Sequence, residues 1–427
     1  MAVFAVVVFV AAYVLIVTER IHRVAAALGG AGIMLAAGVV GAEDAFFSEE
    51  TGVDWNVIFL LLGMMIIVGV LRETGVFEYL AITAAKRAKG KPFRVMVTFV
   101  VLTAVASALL DNVTTVLLVA PVTLLVCLRL GVPPVPFLIA EVLASNIGGA
   151  ATLIGDPPNI IIASRGDLSF NDFLFNMAPI VVLLLIVYLG LCRILFRRAF
   201  SYDEARVAQV MSLNEKDAIE DRVLLAKAGA VLLLVTVGFV LHSALDTEVS
   251  VIALLGAGLL VSVAGLSPKE YLGAVEWPTL VFFAGLFIMV GALIKVGIIG
   301  SLAELVTDVT GENVLLAAML LLVASGVLSG IVDNIPYVAT MAPLVADLAE
   351  DAGNPGNVLW WALALGADLG GNATIVGASA NVVVLGIAER NGYHISFLEF
   401  FKYGGIVALL TIALCVPYLW LRYFVLA

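Results

Sequence analysis

The sequence predicts an all-α polytopic membrane protein made of two inverted-topology repeats. Each repeat has five crossings, one of them discontinuous, and one re-entrant hairpin. Three observations predict it. Hydrophobic residues make up 63% of the 427 positions and charged residues 13%, against roughly half and roughly one quarter in soluble domains. A polar, glycine-rich signature occurs twice: Asp111-Asn112 answers to Asp333-Asn334, Gly148-Gly149 to Gly370-Gly371, and Asn159 to Asn381, each pair 222 positions apart (333 − 111 = 381 − 159 = 222). Trp55 and Trp277, Gly63 and Gly285, and Pro121 and Pro343 keep the same spacing. Finally, an odd number of crossings per repeat inverts the second copy relative to the first, and duplicated polar motifs at membrane depth mark transporters whose substrate lies between two repeats.

The N-terminal repeat is expected over residues 1–196. Apolar runs at roughly 3–18, 24–41, 55–71 and 178–196 read as spans. The first of these lacks a basic lead-in and is followed by Arg20, His22 and Arg23, so it reads as a span rather than a cleaved signal peptide. The stretch 93–129 breaks at Asp111-Asn112 and reads as a re-entrant hairpin, because a polar dipeptide at that depth is tolerated only inside protein or against a water-filled cavity. The stretch 134–164 breaks at Gly148-Gly149 and again at Gly155-Asp156-Pro157-Pro158, where glycine and proline dismantle helix. A polar linker follows over 197–222. The second repeat, 223–427, offers spans at roughly 223–242, 249–265, 278–295 and 404–424, a hairpin at 313–348 and a broken span at 357–387. The segments 75–89 and 297–310 are amphipathic and fit either arms lying in the membrane interface or ordinary loop helices.

The basic residues orient this plan. With both termini external, the cytoplasmic side collects Arg20, Arg23, the Lys86–Arg94 cluster, Arg193, Arg197, Arg198, the linker bases, Lys269, Arg390 and Lys402. Of the 22 lysines and arginines, Arg165, Lys295 and Arg422 fall outside, as the positive-inside rule requires of a minority. Acidic loops at 43–54, 304–312 and 347–351 fall on the external side. The net charge of −11 says little about partners in such a chain; membrane burial is what argues against nucleic acid. Cys127, Cys192 and Cys415 lie in or beside apolar segments and read as small core hydrophobes. His22, His242 and His394 have no metal-site spacing. No phosphate-binding loop or dinucleotide glycine pattern is present, so an ion gradient rather than ATP hydrolysis is the expected energy source, with no enzymatic activity and no resident cofactor.

Asp111 and Asp333 are the leading candidates for chemistry. A carboxylate at membrane depth costs about 2.5–3.5 kcal/mol and marks ion or proton pathways by default. Each is also a good helix N-cap, but capping alone does not explain why the same Asp-Asn pair recurs in both halves. Asp111, Asn112, Asp333 and Asn334 are therefore the expected sodium ligands. Thr114, Thr115 and Thr340 offer hydroxyls about one turn beyond the tips, where Tyr337 replaces the second threonine; hydroxyls and freed carbonyls suit a hard cation, although membrane threonines often bond back to their own helix. In the broken spans, Asn146, Thr152, Asn159, Asn372, Thr374, Ser379 and Asn381 supply donors and acceptors. Gly148, Gly149, Gly370 and Gly371 let backbone approach closely, for packing or for site lining. Asp156 and Asp368 break the symmetry, because their counterparts are Ala378 and Asn146. Both rank below the hairpin aspartates, and Asp156 before two prolines also suits an external loop cap.

The strings DNVTTVLL, IAEV, NIGGAATLIGDPPN, DNIPYVATM and LGGNATIVGASANVVV resemble those of the ion transporter superfamily, specifically its arsenite permease and sodium/proton antiporter (ArsB/NhaD) family, with a citrate transporter-like domain. The resemblance spans nearly the whole chain. It implies a homodimer in the cell (inner) membrane, with a scaffold domain and an elevator-type transport domain of hairpins and broken spans. It also implies that the tips and breaks hold ion and substrate. The related dicarboxylate carriers have Ser-Asn-Thr at the tips; here the tips read Asp111-Asn112-Val113 and Asp333-Asn334-Ile335.

Two carboxylates with no lysine or arginine expected near them favour cation or proton handling. The leading expectation is an ion-coupled secondary transporter, with sodium and/or proton as the coupling ion and exchange as the mode. The alternatives are a carrier of an anion or oxyacid (arsenite, chloride or a dicarboxylate) and, from another class, a passive channel.

Overall fold

A computed structural model describes residues 1–18, 20–201, 204–311, 313–352 and 354–426. Positions 202 and 203 of the expected linker and 312 of the expected acidic loop lie outside them. The described residues form helices and turns, with no strand among them. The first repeat runs α1 (Ala2–Val17), α2 (Arg23–Ala36), a short α3 (Ala42–Phe47), α4 (Trp55–Arg72), α5 (Val76–Arg87), α6 (Pro92–Leu109), α7 (Asn112–Leu130), α8 (Val135–Gly149), α9 (Pro157–Gly166) and α10 (Phe170–Leu195). The linker carries α11 (Glu204–Met211). The second repeat runs α12 (Arg222–Leu245), α13 (Val249–Ala264), α14 (Pro268–Gly273), α15 (Trp277–Lys295), α16 (Ile298–Thr310), α17 (Val314–Ser329), α18 (Asn334–Ala352), α19 (Val358–Gly370), α20 (Ser379–Arg390) and α21 (Phe397–Trp420).

The helix boundaries follow local chemistry. α6 and α7 break at Leu110-Asp111, where Asp111 turns extended and its carboxylate accepts from the Thr114 amide at 2.7 Å; this caps the second arm of the first hairpin. The second hairpin breaks more widely, over residues 330–333, between α17 and α18. Asp156 and Ala378 are the extended residues that start α9 and α20. Two helices begin well before the apolar run that announces them. Ser169 forms a capping box with Asp172 and starts α10 at Phe170 rather than near 178, and Ser396 caps α21 at Phe397 rather than near 404. Polar caps and aromatic first turns are invisible to a pure hydropathy reading. α2, by contrast, stops at Ala36, short of 41, with Gly38 in the left-handed region at φ 69°. Both amphipathic arms, α5 and α16, start after a left-handed glycine, Gly75 (φ 74°) and Gly297 (φ 77°), which turns the chain sharply out of the preceding span. The bend between α16 and α17 is 118°.

The repeats exchange partners. α4 packs on α13, and α2 packs on α15. In the inner part, α6 lies on α8 and α17 on α19 within each repeat, while α18 meets α9 and α20 meets α7 across them. Side-chain bonds inside each hairpin-and-broken-span unit are duplicated at the 222-residue spacing. Ser107 donates to the Ser145 carbonyl at 2.7 Å, as Ser329 does to Ala367 at 2.6 Å. Thr152 donates to the Ala108 carbonyl and Thr374 to that of Gly330, both at 2.6 Å. The linker is tied to α5 by Lys86, which donates to Glu215 at 2.5 Å and to the Leu213 carbonyl at 3.0 Å. That hydrogen bond holds the Glu215 carboxyl below the usual carboxylate range.

The glycines of the breaks pack directly on neighbouring backbone. A Cβ at Gly148 would sit 2.2 Å from the Ala104 carbonyl oxygen, and one at Gly370 2.4 Å from that of Gly326. Because the obstacle is backbone, it cannot swing away. Gly148→Ala and Gly370→Ala should each destabilise the protein by about 1–3 kcal/mol through overpacking, seen as an earlier thermal transition of the detergent-purified chain.

Candidate functional site

The two hairpin tips and the two helix breaks converge on one buried polar crossing. Asn112, at the first tip, donates to Asp156 Oδ2 at 2.7 Å and to Asn146 Oδ1 at 3.2 Å. Asn334, at the second tip, donates to Asp156 Oδ1 at 3.3 Å. Asn146 donates across the repeats to Asn372 Oδ1 at 3.0 Å and Asn381 Oδ1 at 3.1 Å. Asn112, Asn146, Asp156, Asn159, Asn334, Asp368, Asn372 and Asn381 are all 2% exposed or less. Asp156 thus joins both tips from the middle of the molecule. Its position before two prolines is not an external loop.

Each break frees backbone carbonyls, and one asparagine per repeat collects them. The Asn159 amide donates to the Gly149 and Thr152 carbonyls at 3.3 and 3.1 Å, and the Asn381 amide to those of Gly371 and Thr374, both at 2.8 Å. Gly149 and Gly371 serve this turn by closing onto the Gly155 and Gly377 backbones.

Asp111 and Asp333 lie at the edge of the crossing, partly exposed. Asp333 accepts from Ser379 Oγ at 2.6 Å, and its carboxylate also binds the Ile335 amide at 3.0 Å as a helix cap. The threonines divide. Thr340 bonds back to the Pro336 carbonyl within its helix at 2.8 Å, while Thr115 is buried with an unpartnered hydroxyl. Thr152 and Thr374 clamp the breaks to the hairpins, and Tyr337 donates to Ser325 at 3.0 Å. Thr114 contributes its amide to the Asp111 cap.

The expectation that no lysine or arginine stands near the aspartates is corrected. Arg23, at the start of α2, donates to Ser379 Oγ at 2.9 Å and lies 3.8 Å from Asp333 Oδ2. Arg23 and Ser379 are 356 positions apart in sequence. Glu141 was also missed. It is 2% exposed within α8, takes a 2.6 Å hydrogen bond from Thr123 on one oxygen, and has no partner on the other. A lone acid in an apolar run was the available signal.

A cavity of about 680 Å³ reaches the crossing from the face that carries Arg20, His22 and Arg23. Its walls include Glu276, Phe282, Val113, Asp333 and Ser379. A second cavity, about 440 Å³, lies between Asn56, Leu60, Leu153, Ile160 and the α12–α13 turn. Several of its residues are the 222-spaced counterparts of the first cavity's walls: Asn56 of Pro278, Leu60 of Phe282, Ile160 of Val382. It reaches no hairpin-tip residue. On that side the end of α9 is fastened to the α3–α4 loop: Ser164 donates to Asp54 at 2.5 Å, and Arg165 to the Glu49 and Glu50 carbonyls at 3.2 and 2.9 Å.

An all-helical chain with 7 helices long and apolar enough to cross a membrane, among the described residues, and with polar hairpins meeting at its centre, is an integral membrane transporter rather than an enzyme. Residues 13–366 match the family model described as Citrate transporter, and the chain belongs to that family. It is 58% identical over the full length of both chains to an uncharacterized transporter of Mycobacterium tuberculosis, and 56% identical, again over both full lengths, to a 46 kDa membrane protein of Mycobacterium leprae. It is 35% identical to the P protein of Homo sapiens, over 94% of this chain and 58% of that one. The YdaH transporter of Alcanivorax borkumensis, whose crystal structure is described as having an unusual topology, shares the fold at a TM-score of 0.59 over 85% of each chain, with 17% identity.

The bridging role of Asp156 can be measured directly. Asp156→Ala leaves the Asn334 amide without its acceptor and Asn112 with Asn146 alone, which should cost about 1–3 kcal/mol of stability. Asp156→Asn keeps an acceptor oxygen and should lose less, compared by thermal unfolding of the purified proteins.

Proposed function

We propose that this chain is an ion-gradient-coupled secondary active transporter, with sodium or protons as the coupling ion and exchange as the mode. It works by elevator-type alternating access and lies in the arsenite permease and sodium/proton antiporter branch. The carrying observation is the inequality of two pseudo-equivalent cavities around one acidic crossing. One cavity leads from the basic face to Asp333 and the first tip, while the other stops short behind the Asp54–Ser164 and Arg165 contacts. A symmetric framework with one side open and the other fastened is what one state of an alternating-access cycle requires. On this reading the open face is cytoplasmic, both termini are external, the protein is a homodimer of the inner membrane, and no resident cofactor takes part.

The test is ion-driven pH change in proteoliposomes. The double variant Asp111→Asn, Asp333→Asn should reduce sodium-dependent exchange at least about tenfold, the scale of about 1.4 kcal/mol lost along the route from the open cavity past the tips. Unchanged exchange, or a non-saturating flux indifferent to counter-ions, overturns the proposal.

A second reading has its own observation. Arg23 lines the open cavity beside Asp333 and has guanidinium donors beyond the one it gives Ser379, a group suited to a carboxylate or oxyanion, so the cargo is an anion or oxyacid with the cation as its driver. Arg23→Gln should then raise the KM for anion uptake several-fold while leaving cation-induced stabilisation in place. An unaltered KM for every anion that is transported removes this reading.

A further inference from the structure

The pseudo-symmetry of the crossing is also broken at Asp368, and the break leaves buried oxygens without donors. Asn146 and Asp368 occupy equivalent positions (368 − 146 = 222), as do Asn381 and Asn159. In one copy Asn146 donates its amide to Asn381 Oδ1 at 3.1 Å. In the other copy the residue facing Asn159 is Asp368. The Asn159 side chain cannot turn to help, because its amide is committed to the Gly149 and Thr152 carbonyls. Its Oδ1 must therefore point away from them, and it has no donor. Both oxygens of Asp368 also lack a donor, and both residues are 0% exposed. Asn112 Oδ1, one contact away through Asp156, is a further buried acceptor without a partner.

Buried polar atoms are almost always satisfied, and a carboxylate left unpaired is among the most costly groups to bury. Four buried oxygen acceptors lack a donor, against one unpartnered amide in the crossing, that of Asn372, and the carboxylate among them calls for a positive charge. The elements packed on α19 do not supply it: among the described residues no lysine or arginine pairs with Asp368. Its acidic neighbour is Asp156, which in turn senses Asp333 and Asp111. Glu141 of α8 is bonded to Thr123 through one oxygen only, and Tyr337 of α18 is engaged with Ser325.

We propose that Asp368, with Asn159 Oδ1 and Asn112 Oδ1, is the binding site of the coupling cation, a sodium ion or a proton shared between the oxygens of the two repeats. This inference rests on the reading of the chain as ion-coupled. It moves the ion from the hairpin-tip aspartates, which have donors and of which Asp333 lines the open cavity, to the closed crossing. Hard oxygen ligands from carboxylate and carboxamide suit sodium, and a protonated carboxyl could instead donate to Asn159 Oδ1.

The test uses binding rather than transport, so that its failure leaves the coupled-transporter reading standing. The thermal transition of the full-length protein in detergent is followed as sodium replaces choline at constant ionic strength and pH, and separately as pH falls without sodium. The wild type should gain stability in at least one series: a rise with sodium identifies the alkali ion, and a rise with acid alone identifies the proton. Asp368→Asn installs the amide its counterpart Asn146 already carries, so it should fold and be flat in both series. Asp368→Ser, which removes the charge without adding an amide, should be flat as well. The Asp111→Asn, Asp333→Asn protein should keep the wild-type response. A wild type that responds to neither ion, a response retained in either Asp368 variant, or a response lost only in the hairpin-tip variant overturns the assignment.

Discussion

The constraint on which the rest of the structure depends is the fate of the carbonyls released where a helix is broken inside a membrane. Water cannot satisfy them there, and each one left bare costs several kcal/mol. Asn159 and Asn381 resolve this by collecting two carbonyls apiece with one amide, and Thr152 and Thr374 fasten the same turns to the hairpins. Because those asparagines spend their amides on backbone, their side-chain oxygens are left facing the middle of the protein. The polar character of the crossing is thus a consequence of repairing the breaks.

That consequence organises the site. In one copy the inward oxygen meets the amide of Asn146 and the contact closes. Asp156, which has no carboxylate counterpart, draws in the amides of Asn112 and Asn334 and links hairpins that belong to different repeats. The duplicated Ser107 and Ser329 bonds and the close glycine contacts hold each hairpin against its own broken span. Hairpins and broken spans therefore cohere through many short, buried bonds.

The repeat, its hairpins and its breaks were legible in the sequence because identical residues recur at a fixed spacing and because Asp, Asn, Gly and Pro stand out in apolar runs. The weighting of the site was less legible. Asp111 and Asp333 are conspicuous, yet Asp111 caps α7 and Asp333 binds both a backbone amide and Ser379, while Asn112 and Asn334 turn inward. The substitution of Asp368 for Asn146 is visible by alignment of the halves, but its meaning depends on which way the Asn159 amide points, and that is set by carbonyls exposed only on folding. Arg23 reaches Asp333 from a turn more than three hundred positions earlier, so no local pattern could announce it. The helix starts at Phe170 and Phe397 were hidden for a simpler reason: a serine cap carries no hydropathy.

The polar contacts that join the inner unit to the α2–α4 region are of a different kind from those within it. On one face they are the Asp54–Ser164 bond and the Arg165 contacts with the Glu49 and Glu50 carbonyls, all exposed; on the other, Arg23 reaches a partly exposed Asp333 at 3.8 Å. Exposed hydrogen bonds and ion pairs contribute about 0–1.5 kcal/mol each, far less than breaking a buried network would cost. On the proposed elevator motion, exchanging one set of latches for another is then cheap, while distorting the crossing is expensive. A rigid-body shift needs that ordering of energies. Neutralising the charge at the crossing would remove the largest penalty to carrying it through the membrane, and this physical link would make movement depend on the bound ion.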